Sequence, residues 1–317
     1  MRHKKIVILG TGGTIAGTSS DASSNIDYTA AQVGVSQLVG AIDSLSGEVE
    51  TEQVAQIDSK DMSFVVWTAL ANRIQHHLTQ NDVRGVVVTH GTDTLEETAY
   101  FLQSVLNPVK PVVLTCAMRP ASALAPDGPQ NILDATVVAR YTGAFGVVVV
   151  CSGAIHGALD VQKIHTYQLN AFGSGDAGVI GFVEESRLKL VRNWPKAQQV
   201  KRQKATENIA ILNQAKAWPK VEIVMNYVGA SGALVDALVA QGVQGLIVAG
   251  TGNGTVHESL QDSLLKAQAQ GVHVIRSTRC TQGRVLARVD DSFPSSNGLS
   301  PVKARIDLML RLMGATT

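Results

Sequence analysis

Residues 4–17 read KKIVILGTGGTIAG. A run of β-formers, Ile6 to Leu9, breaks into Gly10, Gly12 and Gly13, with Thr11 and Thr14 beside them. A strand ending in glycines bends sharply, because glycine reaches positive φ and lets other groups approach its backbone. The hydroxyls of Thr11 and Thr14 are then expected beyond the carboxyl edge of a sheet, the place where open α/β sheets bind ligands. This stretch makes the chain α/β and makes Thr14 a candidate nucleophile.

The pattern recurs along the chain. Residues 18–29 (TSSDASSNIDYT) are small and polar, a surface loop of the kind that forms lids beside glycine hinges. Tyr28, its aromatic residue, either anchors the loop or serves the site. Val35, Leu38, Val39, Ile42 and Leu45 fall at helical spacing, and 49–57 reads as a strand ending in Ile57. Asp58-Ser59-Lys60-Asp61 follows, before a helix expected over 63–80. A Ser or Asp there is a helix N-cap or a ligand contact. Residues 85–90 (GVVVTH) form another buried-type strand and run into Gly91-Thr92-Asp93-Thr94. Thr94 and Glu97 have capping-box spacing for a helix over 95–106. Thr92 and Asp93 lie just before that helix, where backbone N–H groups favour developing negative charge.

Strands at 112–116 and 145–151 flank a helix at 130–140, completing four β-loop-α units with crossovers long enough for parallel pairing. From 153 to 182 short alternating runs take over, and Lys163 lies in one of them. A chain of 317 residues predicts two domains, at about 100–200 residues each. The boundaries expected are an N-terminal domain over 1–191, a polar and basic linker over 192–219 bracketed by Pro195 and Pro219, and a smaller domain over 220–317. Within the linker Ile209–Leu212 can pack locally. The second domain restarts β-α-β: a strand at 221–225, a helix near 231–240, a strand at 245–249, then the turn GTGNG (250–254). A helix at 257–270, a strand at 272–276 and a helix at 302–313 close it. The fold class expected is a larger N-terminal, mostly parallel sheet with flanking helices, plus a smaller C-terminal α/β domain.

Composition removes several functions. The net charge is +1 and the basic residues are scattered, which gives no case for nucleic acid or an anionic membrane surface. Cys116, Cys151 and Cys280 have the spacing of neither a disulfide framework nor a zinc site, so unpaired, mostly buried thiols are expected. That suits a reducing compartment. The chain enters its first strand after MRHKK, with no signal peptide and no apolar span of about 18 residues. With Met1 as the native start the expectation is cytoplasmic, and a trimmed export signal would make it periplasmic. No dinucleotide cofactor is expected: the G-x-G-x-x-G fingerprint is broken by Ile15 in one turn and Thr255 in the other. No metal is expected either, since the histidines lack ligand spacing, and His90 reads as a structural residue of its turn. Two threonines at turn apices remain, with an acid beside one and a lysine elsewhere. Thr92, Asp93 and Lys163 could form a nucleophile, orienter and base.

At these motifs the sequence closely resembles the bacterial-type L-asparaginases and their glutaminase-asparaginase relatives. TGGTIAG (11–17), DSKDM (58–62), HGTDTLEETAYFL (90–102), AMRPAS (117–122), DGPQN (127–131), DVQK (160–163) and GNG (252–254) carry the resemblance across most of the chain. AMRP and the wording around HGTDT are most like the high-affinity type II subgroup. The resemblance implies hydrolysis of asparagine, and to a varying degree glutamine, to the acid and ammonia without a cofactor. It implies that Thr14 attacks the side-chain amide carbon and that Tyr28 on the lid hydrogen-bonds it. Thr92, Asp93 and Lys163 match the group that activates water or assists the nucleophile. Ser59 and Asp93 match residues that hold the α-carboxylate and α-amino groups, and Gly91 and Ala117 complete the substrate-binding set. Backbone N–H groups of the Gly91–Asp93 turn are candidate oxyanion donors. Asn253 matches a contact reaching a partner subunit's site, in a homotetramer built as a dimer of dimers.

Two departures bear on function. The stretch from Thr14 to Tyr28 is one residue longer than in the family members that align best. Arg288 stands in ARVDD where many members carry an acid, and arginine cannot accept a substrate's ammonium. Either Asp290 or Asp291 takes that place, or the α-amino group binds more weakly, or the substrate differs. The competing readings are an asparaginase-like subunit of a tRNA-dependent amidotransferase and an amino-acid-binding protein without turnover.

Overall fold

The computed structural model describes residues 4–194 and 202–315. The chain divides into two compact units, one through Ile209 and one from Ala210. The first is built on β1 (Lys5–Gly12), whose residues after Lys5 are all buried. Ile6, Val7, Ile8 and Leu9 are fully enclosed, each contributing roughly 1.5–3 kcal/mol of apolar burial. Then follow α1 (Val35–Gly40), β2 (Val49–Ile57), α2 (Phe64–Thr79), β3 (Val83–Thr89), α3 (Leu95–Leu106), β4 (Val112–Thr115), α4 (Gly128–Arg140) and β5 (Val147–Cys151). The chain continues through β6 (Ala154–Gly157), β7 (Gln162–Lys163), β8 (Phe172–Gly173), β9 (Gly181–Glu184) and β10 (Arg187–Leu190).

The eight-stranded sheet has the order β10-β9-β6-β5-β4-β3-β1-β2. Strands β1 to β5 pair in parallel. The pairings β5–β6, β6–β9 and β9–β10 are antiparallel. One face packs on α1 and α4 through Val35, Val39, Ile132, Ala135 and Val138. Toward the other, α2 buries Trp67, Leu70, Ile74 and Leu78 and contacts β3, while α3 contacts β5. Because β1 lies between β2 and β3, the crossovers leave it in opposite directions. The strand ends there open a crevice, which is where such sheets place ligands. The turns after β1 and β3 both flank that crevice.

Three local readings change. The spaced apolar residues 35–45 are helical only to Gly40, and a separate 3-10 turn over Asp43–Leu45 follows. Thr94 begins α3 without a side-chain cap. Its hydroxyl instead donates to the Ser59 carbonyl at 2.8 Å, so a long-range bond overrides the capping box. Half of the expected linker is α5 (Arg202–Gln214). Its buried residues Ala205, Asn208, Ile209 and Leu212 repeat at helical spacing. Asn208 also donates to the Val105 carbonyl at 3.0 Å. The polar composition that reads as linker is the exposed face of this helix. Residues 195–201 of the linker lie outside the described residues.

The second unit is a parallel sheet of β11 (Val221–Met225), β12 (Gly245–Gly250) and β13 (His273–Thr278), with β12 central. Around it pack α6 (Ala233–Ala240), α7 (Glu258–Ala269) and α8 (Pro301–Met313). Val224, Val235, Leu246, Val248, Leu260, Leu264 and Val274 form its core. Among the described residues no helix is long and apolar enough to cross a membrane, and no group of three His, Cys, Asp or Glu could hold a metal ion.

Besides His77, which meets Glu52, two buried histidines lie inside the first unit. Burial draws the His90 imidazole down from 6.5 to about 4, against an opposing bond to the Gly91 carbonyl. Burial likewise draws His156, whose Nδ1 meets Ser174 Oγ at 2.9 Å, from 6.5 to about 4. Between those values the unfolded chain binds protons that the native chain refuses. Stability therefore rises with pH across the window and falls as pH drops through it. The slope is about 1.4 kcal/mol per pH unit for each ring. Urea unfolding is expected to show midpoints falling steadily from about pH 6.5 to about pH 4.5. Midpoints that stay level over that range would contradict neutral burial of these rings.

Candidate active site

The turns after β1 and β3 meet backbone to backbone. Gly12 and Gly13 take φ of +99° and +83°, a region L side chains avoid. A Cβ on Gly13 would fall on the Gly91 backbone, and a Cβ on Gly91 would fall on Ser59 Oγ. Gly13 N–H donates to the Ile57 carbonyl at 2.9 Å, which ties the same turn to the end of β2. Thr14, Ser59 and Thr92 thereby project from three chain segments packed at glycine distance.

Thr14 begins a 3-10 turn over Thr14–Ala16 and is 7% exposed. Its Oγ1 lies 2.6 Å from the Tyr28 hydroxyl, and either oxygen can be the donor. The loop between them is pinned at both ends. Thr18 and Thr29 exchange backbone hydrogen bonds at 2.9 and 2.8 Å. Ser19 N–H donates to Ser122 Oγ at 2.8 Å, and Leu124 N–H donates to the Ala22 carbonyl at 3.1 Å. Gly17 leaves the space that the Tyr28 ring fills. Tyr28 is thus both anchor of its loop and neighbour of Thr14.

Thr11 does not reach the crevice. Its hydroxyl turns back to the Thr89 carbonyl at 2.9 Å and rivets β1 to β3. This corrects the expectation of two presented hydroxyls in the first turn: Thr14 alone faces Tyr28.

In the adjoining turn, Lys163 Nζ lies 2.8 Å from Thr92 Oγ1 and 2.6 Å from Asp93 Oδ1. Thr92 is buried, while the Asp93 side chain is 51% exposed and that of Lys163 20%. An ion pair so open to water contributes little stability, about 0–1 kcal/mol. Its effect is to orient the amine on the Thr92 hydroxyl. Thr92 Oγ1 and Asp93 Oδ1 are 3.5 Å apart, at the edge of a hydrogen bond. Lys163 is brought there by the short hairpin of β7 and β8, in which Lys163 pairs with Phe172.

Ser59 is buried, and its Oγ accepts Asp93 N–H at 3.2 Å. Of the backbone donors expected from the Gly91–Asp93 turn, the Asp93 group is therefore occupied. Gly91 N–H and Thr92 N–H remain as candidates. Ala117 is fully buried just past β4. Two residues that sequence reasoning left inside a motif hold its surroundings. Asp127 accepts Met118 N–H at 3.0 Å and Arg119 N–H at 2.9 Å. Asn131 donates to the Cys116 carbonyl at 2.9 Å and accepts Ser152 N–H at 3.0 Å. Cys116 and Cys151 are buried with their sulfurs 3.6 Å apart. The Cys151 thiol beside it and burial push the Cys116 pKa well up, which keeps it from acting as a thiolate nucleophile. Cys280 is exposed, so the thiols are mostly buried, as expected.

In the second unit, the Asn253 amide is occupied by its own chain. It donates to the Leu286 carbonyl at 3.1 Å and accepts Leu286 N–H at 2.7 Å. Arg288 is exposed. Asp291 accepts Arg288 N–H at 2.6 Å and pairs with the Arg276 guanidinium, bonds that hold its carboxyl below the usual carboxylate range. Asp291 is thus an internal brace of the loop, and Asp290 is the acid that faces solvent.

Comparison with known proteins gives the same motifs a family. The model described as Asparaginase, N-terminal matches residues 5–196, and that of the Glutaminase/Asparaginase C-terminal domain matches residues 220–316. The chain is 38% identical over 316 residues to L-asparaginase 2 of Escherichia coli, covering 97% of this chain and 88% of that protein. It is 37% identical over 317 residues to the glutaminase-asparaginase of Pseudomonas fluorescens biotype A, covering 97% and 86%. The crystal structure of a probable cytoplasmic L-asparaginase from Campylobacter jejuni superposes with a TM-score of 0.89 at 36% identity, covering 98% of this chain and 95% of that one. The chain belongs to the asparaginase family, in both its N-terminal and its C-terminal domain.

Proposed function

We propose that the protein is an L-asparagine amidohydrolase that works through a threonine nucleophile and forms L-aspartate and ammonia, with L-glutamine as the secondary amide. The observation that carries this reading is the Lys163–Thr92–Asp93 group at hydrogen-bond distance, in the turn packed against the one that bears Thr14 and Tyr28. Membership of the asparaginase family supports the substrate class.

In this reading Thr14 Oγ1 attacks the side-chain amide carbon and its proton moves toward the Tyr28 hydroxyl. The carbonyl oxygen gains the negative charge and is met by Thr92 N–H, with Gly91 N–H adjoining. The carbon–nitrogen bond breaks as the nitrogen takes the proton relayed from Thr14 through the Tyr28 hydroxyl, ammonia leaves, and an ester to Thr14 remains. Water then attacks the ester. Lys163 as an ammonium donates to both Thr92 Oγ1 and Asp93 Oδ1. As the neutral amine it keeps Asp93 and takes the Thr92 proton onto its lone pair while Thr92 Oγ1 takes one from the attacking water; the bond from the acyl carbon to Thr14 Oγ1 then breaks, and the proton returns to Thr14 Oγ1. That exchange gives the Thr92 group a proton path for the water step. Ser59 and Asp93 hold the α-carboxylate and α-amino groups.

The reading extends to the assembly and the compartment. The protein is a homotetramer, a dimer of dimers, in which the loop of Asn253 and Arg288 approaches a partner's site. The exposed apolar side chains of Tyr227, Val228, Leu286 and Val289 support a contact surface on the second unit. With Arg288 where many family members carry an acid and Asp291 tied to Arg276, Asp290 is the carboxylate of this loop left to join Asp93 on the α-ammonium. The unpaired neighbours Cys116 and Cys151 support a cytoplasmic location.

Ammonia release from L-asparagine without added metal or nucleotide is the direct test. Thr14→Ala is expected to lower kcat by about a thousandfold or more, and Lys163→Met by about 10²–10⁴. Full-rate hydrolysis by Thr14→Ala would overturn the nucleophile. A second assay addresses the rim. Arg288→Glu is expected to lower KM for asparagine by roughly tenfold at similar kcat, the scale of one charge-assisted hydrogen bond of about 1.5 kcal/mol. An unchanged or raised KM would show that this loop does not meet the ammonium.

A further inference from the structure

His90 lies between the β3 strand and the Gly91 turn, fully buried, and takes no part in the reaction derived above. Its Nδ1 is 2.7 Å from the Gly91 carbonyl oxygen. Its Nε2 is 2.9 Å from Thr98 Oγ1, and Thr98 Oγ1 accepts the Trp67 indole N–H at 2.8 Å. Thr98 is fully buried, and Trp67 stacks on Phe101 with ring centroids 4.7 Å apart.

The hydrogens in this chain have one consistent arrangement. A carbonyl oxygen only accepts, so Nδ1 carries the ring hydrogen. Burial keeps the ring neutral, so Nε2 is the acceptor and the Thr98 hydroxyl is its donor. The Thr98 oxygen then accepts from Trp67. Every polar atom from the α2 indole to the Gly91 carbonyl is paired, and each bond polarises the next.

The peptide after Gly91 is planar and its carbonyl and N–H point in opposite directions. Fixing the Gly91 oxygen fixes the Thr92 N–H of the same peptide. Gly91 lacks a side chain to resist rotation, and contact with Gly13 and Ser59 limits its position but not its peptide plane. We infer that His90 is a positioning residue for amide hydrolysis, which orients and polarises Thr92 N–H toward the carbonyl oxygen of the substrate through its Nδ1–H bond to the Gly91 carbonyl. The inference rests on the proposed role of the Thr92 N–H as oxyanion donor. It assigns the Trp67–Thr98 pair the task of holding the imidazole in the tautomer that donates from Nδ1.

The test compares His90→Asn, His90→Gln and His90→Leu in the full-length protein, each checked for folding by its urea midpoint. An Asn side-chain amide reaches the Nδ1 position and can donate to the Gly91 carbonyl, whereas a Gln amide reaches the Nε2 position beside Thr98. The expected result is a kcat for His90→Leu about 10–100-fold below wild type with KM within about threefold. His90→Asn is expected to recover most of that loss, and His90→Gln to turn over at least about fivefold slower than His90→Asn. Wild-type kcat in folded His90→Leu, or a Gln variant equal to or better than the Asn variant, would overturn the assignment. If His90→Leu does not fold, the Asn and Gln pair decides. Nitrogen-15 NMR of the histidine-labelled protein supplies a second readout: the His90 imidazole, assigned by its loss in His90→Asn, is expected with its hydrogen on Nδ1, and a proton on its Nε2 would overturn the inference. Failure of the parent reading looks different, as full hydrolysis by Thr14→Ala.

Discussion

Gly13 rests on Gly91 with no side chain between them, and the geometry of the crevice follows from that contact. Each glycine follows a strand of a parallel pair, and Gly10 of β1 lies in register with Thr89 of β3. A side chain at either position would push the turns apart by at least a methyl group. Thr14 and Thr92 would then separate, and groups misplaced by about 1 Å can lose two orders of magnitude in rate. The rivet from Thr11 to the Thr89 carbonyl fixes the same strands from below. The third segment joins through Ile57, whose carbonyl receives Gly13 N–H, and through Ser59.

Polarity is graded across this frame. Behind the turns lie neutral groups: an uncharged His90, a Cys116 thiol that stays protonated, and hydroxyls bonded to carbonyls. Toward the opening stand Lys163 and the half-exposed Asp93. Charges at the rim keep most of their hydration, so the fold does not bear the full desolvation cost of a buried pair. The hydroxyls of Thr14 and Thr92 lie between these zones, buried but each in contact with a group that can exchange a proton.

Much of this was legible in the sequence because it is local. The glycines at 12, 13 and 91 announce sharp turns after apolar runs, and the threonines and acid beside them follow at fixed offsets. The core of β1 and the helices over 64–79 and 95–106 are equally local patterns. What the sequence hid depends on partners distant in the chain. Thr94 has the spacing of a cap yet bonds Ser59, and Asp127 holds the 118–119 backbone. Thr11 and Thr14 are equivalent on paper, and only the neighbouring strand decides that Thr11 turns inward. The helix over Arg202–Gln214 was masked because its apolar residues are few and its exposed face is charged. Lys163 meets Thr92 across 71 positions of sequence, which spacing alone could not show.

The claim on which the account turns is that Thr14 carries the acyl group. Rapid acid quenching of the protein during turnover of L-asparagine, followed by peptide mass analysis, tests it most directly. The account predicts an added aspartyl group on the peptide that contains Thr14, appearing before steady state and absent from Thr14→Ala. An aspartyl group on Thr92 instead, or steady turnover with no adduct on either threonine, would contradict it.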